Sequence, residues 1–146
     1  MHRALPPATV VALRVVVDTN VIVSALLHPA RQADCALEAM LRRGDRVLYD
    51  ARIEREYREV LARPKFKSIE PGRSKALLAR LIDHGETVRV VEPYSGELLD
   101  PDDRCFVEVA LAGEADVLLT GNGRDYPRGL GFEVLDPTAL MRLVEG

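Results

Sequence analysis

Tryptophan is absent from this sequence, histidine occurs three times and cysteine twice. So thin a supply of nitrogen and sulfur donors argues against a structural zinc site. His2, His28 and His84 are scattered, and Cys35 and Cys105 lie too far apart to form a ligand pair. Each cysteine falls in a helix-like segment, where a lone buried thiol is expected. Also missing is any apolar run near the roughly 20 residues that a membrane-spanning helix needs. The opening Met1–Ala8 lacks the apolar stretch of a secretory signal. These two absences predict a cytoplasmic protein with no membrane-embedded part. There is no GxxxxGK[ST] loop, no GxGxxG after the first strand, and no visible Ser-His-Asp or Cys-His arrangement. Nucleoside-triphosphate binding and nucleophilic side-chain catalysis therefore lack support. Positive charge is not in excess either, since 20 Lys and Arg against 23 Asp and Glu leave a net charge of −3. Such a chain does not coat nucleic acid by bulk electrostatics. A nuclease with an acidic centre and local cations remains compatible with it.

What is present describes one globular domain. The chain has 146 residues, 47% hydrophobic and 29% charged, enough for a single core and too few for two. Residues 1–13 read as a tail and residues 14–146 as the domain. Arg14 to Asp18 is a β-branched run of the kind that forms a buried parallel strand. Helices are expected at residues 21–27 and 33–43, the second stopped by Gly44 and Asp45. Arg46 to Tyr49 gives a second strand. Residues 51–62 form a helix with Ile53, Tyr57, Val60 and Leu61 on one face, ended by Pro64. Another helix runs from Pro71 to about Gly85, and Thr87 to Val91 reads as a third strand. The helix opened at Leu99–Asp103 ends near Gly113. Val117 to Thr120 and Phe132 to Leu135 are further strands, and Pro137 to Val144 a last helix. Strands alternate with helices and no tight hairpin joins two strands. The expected fold class is α/β, a three-layer α/β/α sandwich around a doubly wound parallel sheet of about five strands.

Four places along the chain could carry chemistry. Asp18 sits where the first strand ends, and ligand crevices in open α/β sheets lie outside those carboxyl ends. It could equally cap the following helix. Asp100, Asp102 and Asp103 crowd one helix start, where a cap needs a single acid. A bound cation or plain solvent would relieve their repulsion. The Thr120–Asp125 loop ends the fourth strand. On the helix of residues 51–62, Glu59 should face solvent, whereas Glu54 and Glu56 border the apolar face from opposite sides. Helical spacing does not choose between them. Acid-rich strand ends with few histidines suit a hard cation such as Mg²⁺ or Mn²⁺.

Taken in order, VVVDTNVIVSALL, EYREVLARPKF and DPDDRCFVEVALAGEADVLLTGN resemble the PIN-domain family, most closely its VapC-like branch of toxin–antitoxin toxins. The resemblance runs from about Arg14 to the C-terminus. It implies a metal-dependent endoribonuclease that hydrolyses single-stranded RNA with Mg²⁺ or Mn²⁺. An antitoxin protein and a second copy of the chain are the implied partners. Asp18, Glu56 and Asp103 match the family's catalytic acids, which selects Glu56 over Glu54. Asp18, Asp103, the adjacent Asp102 and Asp125 are the candidate metal ligands. Asn20, Thr120 and Asn122 are supporting residues. Asn122 is a departure, because many members carry a further aspartate there, and Asp125 could supply the missing carboxylate. Arg58, Arg63, Lys65 and Lys67 are candidate RNA contacts. Two other readings compete. Aspartyl phosphotransfer would need a second aspartate where this chain has Asn20. A catalytically silent RNA- or partner-binding domain is encouraged by Asn122.

Overall fold

A computed structural model describes residues 12–145. Four consecutive residues, Arg14–Val17, form β1, and its three valines have no exposed surface. β-Branched side chains suit a strand covered on both faces. β1 is flanked by β2 (Arg46–Tyr49) and β4 (Val117–Leu119), with β3 (Gly85–Thr87) outside β2 and β5 (Glu133–Leu135) outside β4. All four pairings are parallel, with Val15 opposite both Val47 and Val117. The expected five-stranded parallel sheet is therefore present.

Six α-helices connect and cover it: α1 (Thr19–Leu27), α2 (Gln32–Arg43), α3 (Ala51–Leu61), α4 (Pro71–Asp83), α5 (Arg104–Ala112) and α6 (Pro137–Glu145). α1, α2 and α6 pack as one group, while α5 lies on β1, β2 and β4 with α3 beside it. This is the three-layer arrangement. Gly44, at φ 80°, ends α2 in the left-handed conformation that glycine adopts without strain. The chain then turns at once into β2.

The third strand lies earlier than the valines of residues 87–91 suggest. β2 ends at Tyr49 and α3 begins at Ala51, so the sheet offers no partner beyond that point. Val88 donates one more backbone bond to the Tyr49 carbonyl (2.8 Å), and the chain then leaves the edge. Val91 is 73% exposed as a result. Gly85, the first residue of the strand, packs where a Cβ would stand 2.8 Å from the Val47 carbonyl oxygen. Of the expected tail, residues 1–11 fall outside the described residues. Leu13 is instead part of the core, its N–H bonded to the buried Asp45 carboxylate at 2.8 Å. Cys35 is exposed rather than buried, and Cys105 is half-buried.

The order β3-β2-β1-β4-β5 reverses direction between β1 and β4. A crevice opens outside the strand ends where such a reversal occurs. The first residue past β1 is Asp18, and the first past β4 is Thr120.

Candidate active site

The Asp18 carboxylate is 7% exposed. Its Oδ2 accepts hydrogen bonds from the Thr120 and Tyr126 hydroxyls, each at 2.9 Å. Asn20 adds longer bonds of 3.4 Å, backbone N–H to Oδ1 and side-chain amide to Oδ2. Capping of α1 is thus the weaker of its engagements, since a 3.4 Å bond lies beyond the usual range. Burial raises the Asp18 pKa above its ordinary value, and the two hydroxyls pull it partly back.

Tyr126 links Asp18 to a second acid. Its hydroxyl also lies near enough to Asp103, the last residue of the short 3₁₀ turn Pro101–Asp103 that leads into α5, to draw that acid's pKa down. Burial, then the charges of Asp18 and Asp100, push the half-buried Asp103 carboxyl up to about 7. Asp125 adds to this repulsion from the turn Gly123–Asp125. Glu56 reaches the same region from α3, held by a short hydrogen bond from the Thr19 hydroxyl. Its pKa is raised by burial and by the charges of Asp18 and Asp102. Glu54 turns away and pairs with Arg58 at 2.9 Å. Glu59 is exposed, as helical spacing requires.

Asp18, Glu56 and Asp103 thus converge on the crevice, with Asp102 exposed and Asp125 half-buried at its rim. No Lys or Arg pairs with any of the first three among the described residues. Asp45 and Glu108, the other deeply buried acids, are paired with Arg43 and Arg52. Asn20 ties the two loops together, its Oδ1 accepting from the Gly121 N–H at 3.0 Å. Asn122 is exposed and engages Thr120 through its backbone N–H rather than its side chain. Of the candidate RNA contacts, Arg63 is close enough for its charge to act on Glu56. Arg58 is spent on Glu54, Lys65 lies 5.1 Å from the centre of the Phe66 ring, and Lys67 is exposed at the end of the turn Pro64–Phe66.

A PIN-domain family model matches residues 14–124. The chain belongs to the PIN-domain family. PIN domains are generally nucleases. A solved structure with the same fold is that of VapBC2 from Rickettsia felis bound to a DNA fragment from their promoter. One of its chains is 14% identical, with a TM-score of 0.56 over 85% of this chain and 98% of that one. No curated protein sequence matches significantly.

Two features of this PIN domain's crevice escape sequence reasoning. Tyr126 lies 108 positions from Asp18 and reads as an ordinary loop aromatic. Thr19 reads as a helix-start residue. Its hydroxyl bonds Glu56, 37 positions away, and no local signal in the sequence joins the two. The donor set is all oxygen, which is the chemistry of a hard cation. Among the described residues, no three His, Cys, Asp or Glu side chains stand close enough to grip an ion directly.

Proposed function

We propose that this protein is a divalent-cation-dependent endoribonuclease acting on single-stranded RNA, and the toxin of a toxin–antitoxin pair. The observation that carries the reading is the buried Asp18, with half-buried Glu56 and Asp103 near it and no basic partner for any of them among the described residues, in a PIN-family chain whose two other buried acids, Asp45 and Glu108, each pair with an arginine. Buried carboxylates without counter-charge are costly, and a cation supplies the missing charge. Asp18, Asp103 and Glu56 hold Mg²⁺ or Mn²⁺, with Asp102 and Asp125 as outer acids. When bound, such an ion polarises a phosphate oxygen and makes water a better nucleophile. Thr120 and Tyr126 fix the orientation of Asp18, leaving Oδ1 with only the long Asn20 contact. Thr19 does the same for Glu56. Arg63 and the neighbouring Lys65 and Lys67 place the RNA backbone at the rim. The antitoxin partner is suggested by the toxin–antitoxin complex whose fold this chain shares. A homodimer accords with the resemblance.

Cleavage of end-labelled single-stranded RNA with Mn²⁺, Mg²⁺ or EDTA tests the proposal. Wild-type protein is expected to cut only with a cation. Asp18→Asn should lose at least about 100-fold in rate while keeping its circular dichroism spectrum, on the scale of a removed catalytic electrostatic contact. Undiminished Mn²⁺-dependent cleavage by folded Asp18→Asn would reject it. The silent-domain reading draws on Asn122, which carries no charge. Calorimetric Mn²⁺ binding without cleavage of any RNA would favour that reading.

A further inference from the structure

Asp18 and Glu56 come from elements far apart in the chain, yet the residues around them are tied together twice. Val17, Asp18 and Thr19 run consecutively from the end of β1 into α1, and Glu56 and Tyr57 are consecutive on α3. The Thr19 hydroxyl donates to the Glu56 carboxylate. In the opposite direction, the Tyr57 hydroxyl donates to the Val17 carbonyl at 2.5 Å. One bond starts on the residue after Asp18 and the other ends on the residue before it. Together they clasp α3 to the junction that carries Asp18.

The strand explains why that carbonyl is available. Successive carbonyls of a strand point to opposite sides, so those of Leu13, Val15 and Val17 face one neighbour. The Leu13 carbonyl accepts from the Arg46 N–H at 2.8 Å, which makes that neighbour β2. β2 ends at Tyr49 and the chain turns into α3 at Ala51, so the ladder runs out beside Asp18. Tyr57 supplies a donor there from α3 itself. Its side chain has no exposed surface, and its ring packs on Phe106 with centroids 6.5 Å apart. Packing accounts for the ring but not for the hydroxyl, because phenylalanine would fill the same space without taking a polar group out of water. The hydroxyl's target is not an arbitrary carbonyl of the core. It joins the residue after Glu56 to the residue before Asp18, and so sets the position of α3 against the end of β1.

We propose that Tyr57 is a positioning residue which, with Thr19, fixes Glu56 relative to Asp18 so that the two carboxylates stand ready before a cation arrives. The inference rests on the cation reading of the crevice. Mn²⁺ is titrated calorimetrically into wild type, Tyr57→Phe, Glu56→Ala and the double variant, each checked for folding by circular dichroism and urea unfolding. Losing a group that orients a metal ligand commonly weakens binding about 10–100-fold, so Tyr57→Phe should raise the Kd for Mn²⁺ at least about tenfold. In the Glu56→Ala background the same substitution should change Kd by less than about twofold, since its route to the cation is gone. A residue that merely held the fold together would weaken binding in both backgrounds. Equal losses in the two, or no loss in either, overturn the inference. Should Tyr57→Phe fail to fold, Thr19→Val breaks the other bond of the clasp with the Tyr57 ring in place. A loss that needs Glu56 then upholds the clasp, and a loss independent of Glu56 overturns it. Absence of Mn²⁺ binding by wild type would remove the cation reading and this inference with it. Wild-type binding that Tyr57→Phe leaves unaltered would overturn this inference alone.

Discussion

Replacing Asp103 by Asn should make the metal-free protein more stable at neutral pH, against the usual direction of a substitution in a polar site. Asp103 titrates at about 7 instead of its ordinary 3.8, lifted by burial and by the charges of Asp18 and Asp100. A group raised in the folded state contributes fully below pH 3.8, where it is protonated in folded and unfolded chains alike. Between 3.8 and 7 the folded chain holds the extra proton, so stability falls as pH rises and the loss is complete just above 7. For a fully shielded carboxyl that gap is worth about 4 kcal/mol. Asp103 is only half-buried, and solvent screening reduces the effect to about 1–2 kcal/mol. Asparagine has the same shape and no charge, so it escapes the decline. Urea unfolding in EDTA, repeated from pH 4 to pH 8, measures this. The stability difference between Asp103→Asn and wild type should grow from near zero at pH 4 to about 1–2 kcal/mol at pH 7.5. Saturating Mn²⁺ should then stabilise wild type by about 2–3 kcal/mol, as expected near a hundredfold excess over Kd, and the variant far less. Parallel stability curves for the two proteins across the whole pH range would refute the crowding argument.

Tyr126→Phe removes the hydroxyl that donates to Asp18, and a hydrogen bond to a carboxylate is worth about 1.5–3 kcal/mol. Mn²⁺ affinity measured by calorimetry should fall at least about fivefold in this variant, because Asp18 is no longer held from two sides. Unchanged affinity would make Tyr126 a packing residue. Glu108→Gln should cost about 1.5–3 kcal/mol in urea unfolding, since the buried carboxylate accepts from Arg52 at 2.6 Å and from the Tyr94 N–H at 2.7 Å. The segment of residues 88–100, tied down by that second bond, should become the first site of limited proteolysis. A wild-type cleavage pattern would contradict the tether.

How far the sequence speaks depends on how local each cause is. β1 is legible because a run of valines suits a strand covered on both faces, and the alternation of strands with helices leaves few topologies besides a parallel sheet. β3 is misplaced by the same logic: its valines obey strand propensity, but where the strand stops depends on the length of β2, a partner elsewhere in the chain. Asp18 is legible from its position after β1. Glu56 is not legible from helical spacing, which leaves it tied with Glu54. The tie is broken physically by Thr19 on one side and Arg58 on the other, contacts between elements far apart in the chain.

The same distinction separates a cap from a candidate site. An acid after a strand can be explained by a free helix N-terminus, and Asp18 does cap α1, though at 3.4 Å. Capping alone does not account for the company it keeps. Asp45 and Glu108, buried in this fold for structural reasons, each have an arginine. Asp18 and Glu56 have hydroxyls, which orient a carboxylate without cancelling its charge, and Asp103 has no basic partner among the described residues. Burial raises the pKa of all three, and the charges of neighbouring acids add to it at Glu56 and Asp103. A chain carrying 20 Lys and Arg could have placed one there. Arg63 acts on Glu56 from a distance without pairing with it. Oriented acids with uncancelled charge at a topological switch point are the ground for the proposed cation site, and on that proposal both stability and cleavage should depend on Mn²⁺.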